Sequence, residues 1–401
     1  MRHTRYAVVA FFALAACSGS TSTATTTAVG SLPTTTATTA GGASASTAAA
    51  GATPTAGLAL RGLCPDPVVL QTDWNPEAEH GGFYQLLGKD FKIDTAAKTV
   101  RGPLMSGGQS TGVDVEIRAG GPAIGFQPVP ETMYRKPDIF LGYVSTDDAV
   151  EYAQIAPTLS VMAPFEKGPQ MVMWDPATYP NVKTVADLKA AKAPIRFFGS
   201  EPYMAYLVDK EIVSPDQLDA SYDGSPKVFT AEKGRIAQQG FASSEPFFYA
   251  NELPAWAKPV KYQLIHDTGW QPYPQSLAAR PEVVKALPNC LRLLVPMLQR
   301  AQVEFVKNPA AANALILQLV KAYDNGWQYS PGIAEYSVKT QLELGLVSNG
   351  TDKTLGDFDL ARVKSFIASA SPVLAKSKPL PAGLTAEQLV TNEFIDKSIG
   401  L

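Results

Sequence analysis

Histidine and cysteine are scarce in this chain of 401 residues, which has three of each, and none of them has the spacing of zinc ligands. The sequence also lacks a Walker-type phosphate-binding loop and any run of basic residues. Lys and Arg number 34 against 37 Asp and Glu, which gives a net charge of −3. These absences argue against metal, nucleotide and nucleic-acid chemistry, and they predict a protein without a cofactor.

The first apolar run, Tyr6–Ala16, follows two arginines and is too short to span a bilayer. This pattern is typical of an export signal, so residues 1–16 are predicted to be a signal peptide. The run closes on the letters LAAC, the pattern of a bacterial lipobox. We expect Cys17 to carry a lipid anchor that holds the protein on the extracytoplasmic face of the cell membrane. An ordinary secretory signal with an incidental cysteine is the alternative.

From Ser18 to about Gly57 nearly every residue is Ser, Thr, Ala, Gly or Pro, without an aromatic residue or a charge. Such a stretch has too little to bury to offset its ordering entropy, so residues 17–57 are predicted to be a disordered tether. Loss of the two signal-peptide arginines leaves 32 basic against 37 acidic side chains, a net charge of −5. The remaining body, from about Leu58 to Leu401, is near the upper limit for one core and therefore predicts two lobes.

A lipid on Cys17 leaves an even pair of cysteines, Cys64 and Cys290. Because an exported protein folds in an oxidising compartment, we expect these two residues to form a disulfide. The alternative is a pair of unbonded, buried thiols, since the distance between them cannot be read from the sequence.

Short apolar runs rich in β-branched residues alternate with helical patterns along the body. The runs predicted to be strands are Val68–Asp73, Val113–Arg118, Ile139–Val144 and Gln170–Trp174. Helix starts are predicted at four residue pairs: Thr184 with Asp187, Asn308 with Pro309, Ser330 with Pro331, and Thr385 with Gln388. The alternation predicts an α/β fold with largely parallel sheets. The last third is predicted to be mostly helical, with Pro288 and Pro296 breaking or kinking its first helix.

The loop after the first predicted strand combines residues that suit ligand binding. In α/β sheets, ligands bind beyond the carboxyl ends of strands. Trp74 offers a flat π-face, His80 a switchable donor or acceptor, and Gly81-Gly82 a backbone that a ligand can approach closely. The alternative is that Trp74 and Phe83 belong to the core and that His80 caps a helix.

Two later segments are further candidates. In the stretch Gly240–Tyr249, a glycine and two serines precede Glu245, and three aromatic residues follow it. A carboxylate among aromatic faces can accept from ring amino groups or balance a cation, although a solvated glutamate at a turn is the plainer interpretation. The stretch Asp267–Arg280, with Trp270 and Tyr273 among prolines, is either a stiff aromatic lip or ordinary packing.

Six segments of the body resemble, in the same order, the SsuA/THI5-like (NMT1-like) group. They are DWNPEAEHGGFY, VDVEIRAGGP, DIFLGYVSTDDAV, KTVADLKAAKAPIRFFG, ASSEPFFY and QPYPQSLAAR. Members of this group are substrate-binding proteins of ABC importers for thiamine pyrimidine precursors, riboflavin-type compounds, alkanesulfonates and similar small molecules. The similarity covers most of Val68 to about Leu317, and its first motif, an Asp-Trp-x-Pro-like loop followed by His-x-Gly-Phe/Tyr, is the most specific.

This resemblance implies a type II periplasmic-binding-protein fold, in which two α/β lobes enclose a ligand cleft. Lobe one would comprise residues 62–164 plus 262–401, and lobe two residues 165–261. The residues that would line the cleft are Trp74, His80, Phe83, Tyr84, Gly120 and Thr146 from lobe one, and Ser243, Ser244 and Glu245 from lobe two. The resemblance further implies a monomer with a small-molecule ligand, an ABC permease as partner and no enzymatic activity.

Two features separate the chain from this group. The segment Lys89–Gly112 is longer than the usual link to the second strand, which suggests an extra hairpin or flap near the cleft mouth. The ligand does not transfer, because the group varies at these loops. Trp74 and Glu245 favour a flat nitrogen heterocycle, like a thiamine pyrimidine precursor, over a sulfonate.

Three alternative functions stay open from the sequence. They are a sulfonate-binding or riboflavin-type binding protein, a pyrimidine-precursor synthase of the same fold, and a lipoprotein without a permease. A synthase of this kind would be a cytosolic protein, whereas this chain has a predicted export signal. After removal of the signal peptide only His80 and His266 remain, and no Ser/His/Asp arrangement stands out.

Overall fold

A computed structural model describes residues 59–199 and 201–401. The predicted signal peptide (1–16), the predicted tether (17–57) and the predicted lipidation site Cys17 lie outside the described residues. In the described part, no helix combines the length and the apolar character needed to cross a membrane.

The strands, in chain order, are β1 Val68–Gln71, β2 Lys92–Asp94, β3 Thr99–Ser106, β4 Gln109–Arg118, β5 Leu141–Val144, β6 Leu159–Met162, β7 Gln170–Trp174, β8 Ile195–Arg196, β9 Leu218–Asp219, β10 Ala237–Phe241, β11 Lys261–Leu264 and β12 Ser276–Ala279. The helices are α1 Gly81–Tyr84, α2 Val129–Arg135, α3 Thr146–Glu151, α4 Val185–Ala190, α5 Pro202–Asp209, α6 Lys227–Ala231, α7 Glu245–Phe247, α8 Pro281–Ala286, α9 Pro288–Lys307, α10 Ala310–Tyr323, α11 Pro331–Glu343, α12 Leu360–Leu374 and α13 Ala386–Leu389.

The strands form two sheets. The first has the order β2-β3-β4-β1-β5-β12-β6, and the second has the order β11-β7-β10-β8-β9. In the first sheet β1 is parallel to both β4 and β5, and its four residues are all buried. Burial on both faces explains why β1 reads as a continuous apolar run. The architecture is therefore two α/β lobes; the alternation of strand and helix predicts the α/β class, and the length of the body predicts the two lobes. The prediction of largely parallel sheets is wrong, because six of the ten strand pairings in the described residues are antiparallel.

The chain crosses between the sheets twice, first between β6 and β7 and again between β11 and β12. The predicted limit between lobe two and lobe one, at residues 261/262, falls inside β11. Because Lys261 pairs with Trp174 and Leu264 with Met171, all of β11 belongs to the second sheet. The second crossing therefore follows Leu264.

Most helix-start predictions are confirmed. Capping boxes are present at Thr184 with Asp187 and at Thr385 with Gln388. The Ser330 side chain accepts a hydrogen bond from the amide of Ile333.

The prediction for Asn308 is wrong, because this residue ends α9, and α10 begins at Ala310 after Pro309. Pro288 separates α8 from α9, but Pro296 lies inside α9 and does not end it. One face of α9 is buried and packs against α1. We attribute the continuation of the helix past Pro296 to this packing.

The segment 89–112 forms the extra hairpin that was one of its two expected forms, and in the described structure it does not line the cleft as a flap would. It contains β2, β3 and the start of β4, which extend the edge of the first sheet. The antiparallel pairing from Thr99↔Arg118 to Ser106↔Gln109 satisfies the backbone of the extra residues within the sheet. The added length therefore widens lobe one.

Cys64 and Cys290 form a disulfide. The bond joins the loop before β1 to the first turn of α9, and Cys290 is fully buried. It closes a loop with a sequence separation of 226 residues, and so restricts the unfolded chain strongly.

Replacing both cysteines with serine is expected to lower the free energy of unfolding by about 2–5 kcal/mol, because the unfolded chain gains conformational freedom. Urea denaturation of the oxidised parent and the Cys64→Ser/Cys290→Ser variant measures the difference. Reduced parent protein is the control and should match the variant. Equal stability of all three samples would contradict the expectation.

Candidate ligand cleft

A cavity of about 650 Å³ lies between the two sheets and is lined from both lobes. Lobe one contributes the loops that follow β1, β4 and β5, and lobe two the loops that follow β8, β9 and β10. The two crossing segments complete the wall through residues such as Pro169 and Gln275. The cavity thus lies where the ends of the strands bring loops together.

The lining is acidic and aromatic. Its carboxylates are Asp73, Glu77, Asp147, Asp148, Glu151, Glu201, Asp223 and Glu245. In the described part of the chain, the lining contains no Lys or Arg. Basic partners lie behind two of the carboxylates, because Lys378 is 2.6 Å from Glu151 and Arg196 is 3.9 Å from Asp223. The cavity is therefore rich in carboxyl groups and, in the described lining, has no Lys or Arg to pair with them.

Asp73 is held in place at the end of β1 by two buried side chains. Its Oδ1 atom lies 2.6 Å from His80 Nε2. The Gln275 amide donates to both carboxylate oxygens, at 3.2 and 3.0 Å. His80 is fully buried and packs against Tyr143, with ring centroids 5.2 Å apart. His80 thus orients Asp73 from behind the wall.

Glu77 lines the cavity with a side chain that is only 4% exposed. Its Oε1 atom is buried and has no hydrogen-bond partner among the described residues. The nearest basic nitrogen, His80 Nε2, is 3.9 Å away. Burial, with smaller contributions from Glu79, Asp73 and Glu245, raises the pKa of Glu77 well above its usual range.

Lobe two supplies two further carboxylates, each held by neutral donors. Glu201 accepts hydrogen bonds from the amides of Gln170 at 2.8 Å and Gln239 at 3.0 Å. Glu245 accepts from the backbone N–H of Phe241 at 2.7 Å. Burial outweighs these hydrogen bonds and raises the pKa of each carboxyl group to about 7.

The start of α3 adds an acidic pair. Asp147 Oδ2 accepts a hydrogen bond from the Trp270 indole at 3.0 Å. Burial raises the pKa of Asp147, and burial together with the neighbouring Asp147 charge raises the pKa of Asp148 well above its usual range. Like charges on adjacent residues thus favour the protonated form of at least one of them.

Trp74 is the centre of an aromatic group that spans the cleft. Its ring centroid lies 5.9 Å from that of Phe126, 5.6 Å from Phe198 and 6.0 Å from Trp327. Phe198 belongs to lobe two, so this group connects the lobes. Gly121 has a φ of +54°, and a Cβ atom there would lie 2.6 Å from the Trp74 ring. Glycine at this position therefore gives the indole its space.

Of the predicted cleft residues, Trp74, Ser244 and Glu245 line the cavity. His80, Phe83 and Tyr84 lie behind its wall. Phe83 stacks on Tyr143, with ring centroids 4.4 Å apart. Tyr84 is 2% exposed in the core, because the short helix α1 packs on α9. The alternative that Phe83 is a core residue therefore describes it better.

Three other predicted residues also lie outside the lining. Gly120 packs against the backbone at Thr72, where a Cβ atom would be 2.3 Å from the carbonyl oxygen. Thr146 is buried and accepts a hydrogen bond from the Tyr273 amide at 2.8 Å. Ser243 is buried and donates to Glu79 of lobe one. Their neighbours Gly121, Ser145 and Ser244 face the cavity instead.

The sequence patterns miss several lining residues. Glu77 lies inside the first motif but carries no recognisable signal of its own. Phe198 and Glu201 follow the short strand β8, and Trp327 lies in the loop between α10 and α11, beyond the region of resemblance. In the proposed aromatic lip, Trp270 lines the cavity, whereas Tyr273 is buried and its hydroxyl accepts from the amide of Asp359.

Searches with the sequence find no matching protein-family model and no matching curated protein. Solved structures match at low identity. The periplasmic aliphatic sulphonate binding protein SsuA from Escherichia coli is 14% identical, with 81% of this chain and 92% of that chain covered and a TM-score of 0.53.

Two further structures match over most of this chain. The alkanesulfonate-binding protein SsuA from Xanthomonas axonopodis pv. citri, bound to MOPS, is 13% identical, with coverage of 82% and 99% and a TM-score of 0.51. A protein from Bordetella bronchiseptica RB50 is 14% identical, with coverage of 82% and 96% and a TM-score of 0.51. The chain therefore has the two-lobed fold of periplasmic binding proteins.

Glu245→Gln is expected to stabilise the ligand-free protein at pH 8 but not at pH 4. Burial raises the pKa of Glu245 in the folded protein to about 7, whereas its pKa in the unfolded chain is about 4.3. The carboxyl group therefore contributes fully to folding stability below a pH of about 4.3, and this contribution is lost as the pH rises through about 7. Above pH 7 the parent has a buried charge that the amide lacks. The gain in unfolding free energy should be about 1–3 kcal/mol at pH 8, measured by urea denaturation.

The matched control is Glu335→Gln, since Glu335 is exposed on α11 and does not line the cavity. This substitution should change the free energy of unfolding only slightly, and by a similar amount at pH 4 and pH 8. A Glu245→Gln effect that is equal at pH 4 and pH 8 would show that this carboxyl group titrates as it does in the unfolded chain.

Proposed function

We propose that this chain is the extracytoplasmic substrate-binding protein of an ABC importer. It captures a small planar nitrogenous solute between its lobes and presents that solute to a membrane permease. The observation that carries the proposal is the acidic and aromatic cavity between two lobes of the periplasmic-binding-protein fold. Its volume of about 650 Å³ suits a small molecule.

Lobe closure is the mechanism that fits the placement of the groups. Asp73, Glu77 and Trp74 come from lobe one, and Glu201 and Glu245 come from lobe two. A solute that contacts both sets interacts better with the closed arrangement than with an open one, and this differential interaction shifts the lobes toward closure. Two crossing segments connect the sheets and supply the hinge.

The chemistry of the lining supports a nitrogenous solute. Carboxylates accept hydrogen bonds from ring amino groups, and the faces of Trp74, Trp327 and Phe198 suit a flat ring. The sulfonate ligands named for the two SsuA structures are anions. A sulfonate in this cavity would face carboxylates, and the lining in the described part of the chain offers no Arg or Lys to recognise it. A solute like a thiamine pyrimidine precursor fits this lining better.

The cellular setting follows from the N-terminal sequence. A lipid on Cys17 fixes the chain to the membrane, and the tether 17–57 lets a monomeric body reach both free solute and the permease. Catalysis has no part in this proposal, in which the fully buried His80 positions Asp73.

A thermal-shift screen of the body from residue 58 tests this function. Pyrimidines, flavins, aliphatic sulfonates and polyamines are the probe classes, and a pyrimidine or related planar nitrogen compound is expected to raise the melting temperature. For the best probe, Trp74→Ala should weaken binding about tenfold or more, since it removes the central aromatic face.

Tyr134→Ala is the matched control, because Tyr134 is 39% exposed on lobe one, and its hydroxyl donates to Pro157 outside the cavity. This variant should bind the probe as the parent does. The proposal fails if no probe class binds, and the cleft assignment fails if Trp74→Ala binds with the affinity of the parent.

A further inference from the structure

Resting on the proposed transport function, we infer that the solute is an organic cation whose charged nitrogen contacts Glu77, with Trp74 and Trp327 as flanking aromatic faces. Its positive charge distinguishes this solute from neutral pyrimidines and from anions. It also assigns the charge-recognising group to a residue that no sequence motif singles out.

The first argument is the balance of charge in the cavity. Eight carboxylates line it, and in the described residues only Glu151 and Asp223 have a Lys or Arg within 4 Å. Without a cation in the cavity, burial favours the protonated forms of Glu77, Glu201 and Glu245. A cation pairs with the ionised form of such a group, whereas a neutral solute supplies no charge to balance it.

The second argument is the state of Glu77 itself. It is 3% exposed, it lines the cavity, and its Oε1 atom has no hydrogen-bond partner among the described residues. Glu201 and Glu245, by contrast, accept hydrogen bonds from protein amides. An unpaired buried acceptor costs free energy unless a donor reaches it. A protonated or quaternary nitrogen of a solute meets that need.

The surroundings of Glu77 point the same way. Burial is the main cause of the raised pKa of Glu77, and the nearby Glu79, Asp73 and Glu245 raise this pKa further. The Nε2 atom of His80 lies 3.9 Å from the Oε1 atom of Glu77. This imidazole already contacts Asp73 at 2.6 Å, and His266, which also lines the cavity, lies 3.2 Å from Asp267. The carboxyl groups around Glu77 thus outnumber the basic side chains that could neutralise them.

The third argument is the aromatic pair. Trp74 and Trp327 both line the cavity and meet edge to face, with centroids 6.0 Å apart and an interplanar angle of 85°. Trp327 Nε1 is buried and without a partner among the described residues. Tryptophan faces attract organic cations most strongly of the aromatic side chains. Small metal ions prefer oxygen ligands, so the indoles favour an organic cation.

Calorimetry with matched pairs of probes tests the charge. One pair is 4-amino-5-aminomethyl-2-methylpyrimidine, a cation at pH 8, with its neutral hydroxymethyl analogue. The other pair is 1-methylnicotinamide, a permanent cation, with nicotinamide. In at least one pair the cationic member is expected to bind about tenfold tighter or more.

Variants locate the recognition of charge. Glu77→Gln should reduce the advantage of the cation to about threefold or less, with little change for the neutral member. Because the Oε1 atom of Glu77 has no hydrogen-bond partner in the described structure and burial raises the pKa of this carboxyl group, the variant should keep its circular-dichroism spectrum and should not melt at a lower temperature than the parent. Glu335→Gln on the exposed face of α11 is the matched control and should keep the full advantage.

Trp327→Leu is an independent variant if Glu77→Gln fails to fold. It should lower affinity for the cation more than for the neutral analogue, because a leucine has no π-face. Equal losses for the two members would overturn the role of Trp327.

Failure of this inference differs from failure of the proposed function. Equal or tighter binding of the neutral members would overturn the cation assignment and leave a transport protein for neutral heterocycles. Binding of aliphatic sulfonates alone would overturn both the cation assignment and the nitrogenous solute. A Glu77→Gln variant that keeps the full advantage of the cation would overturn the assignment of Glu77.

Discussion

Burial of several carboxyl groups in one partly enclosed cavity, with a smaller contribution from their mutual repulsion, is the constraint that shapes the site of this protein. In the described residues, Asp73, Glu77, Asp147, Asp148, Glu201 and Glu245 all line the cavity without a Lys or Arg within 4 Å, unlike Glu151 and Asp223. Neutral donors hold four of the six: Gln275 for Asp73, Trp270 for Asp147, two glutamines for Glu201 and a backbone amide for Glu245. Burial raises the pKa of Glu201 and Glu245 to about 7, so the ligand-free cleft retains protons that a cationic solute can displace.

The fold places these groups within reach of one another. The lobes contribute opposite walls, and a buried contact joins them where Ser243 of lobe two donates to Glu79 of lobe one. Ser337 of α11 donates to the same carboxylate at 3.1 Å, and Ser330 donates to Glu252 of lobe two at 2.6 Å. The hydrogen bonds of Ser243 to Glu79 and of Ser330 to Glu252 thus connect the two lobes.

Sequence patterns predict the architecture well and the lining poorly. Strand and helix alternation predicts the α/β class, the length of the body predicts two lobes, and the parity of Cys64 and Cys290 predicts their disulfide, because these features depend on length, composition and local pattern. To predict the lining residues, one must know which of two adjacent residues in a loop faces the cavity. Gly121 faces it where Gly120 was expected, and Ser145 where Thr146 was expected. No local pattern distinguishes such neighbours in a loop, and Trp327 reaches the cavity only through the packing of α10 and α11.

Proton release on binding tests the central claim most directly. Titration of 1-methylnicotinamide into the protein at pH 7, in two buffers of different ionisation enthalpy, measures the protons exchanged when a permanent cation enters the cleft. Because this probe has no proton to lose, any release comes from the protein. The account predicts net release, since a cation lowers the pKa of the carboxyl groups that it contacts. Binding without proton release, or with proton uptake, would contradict it.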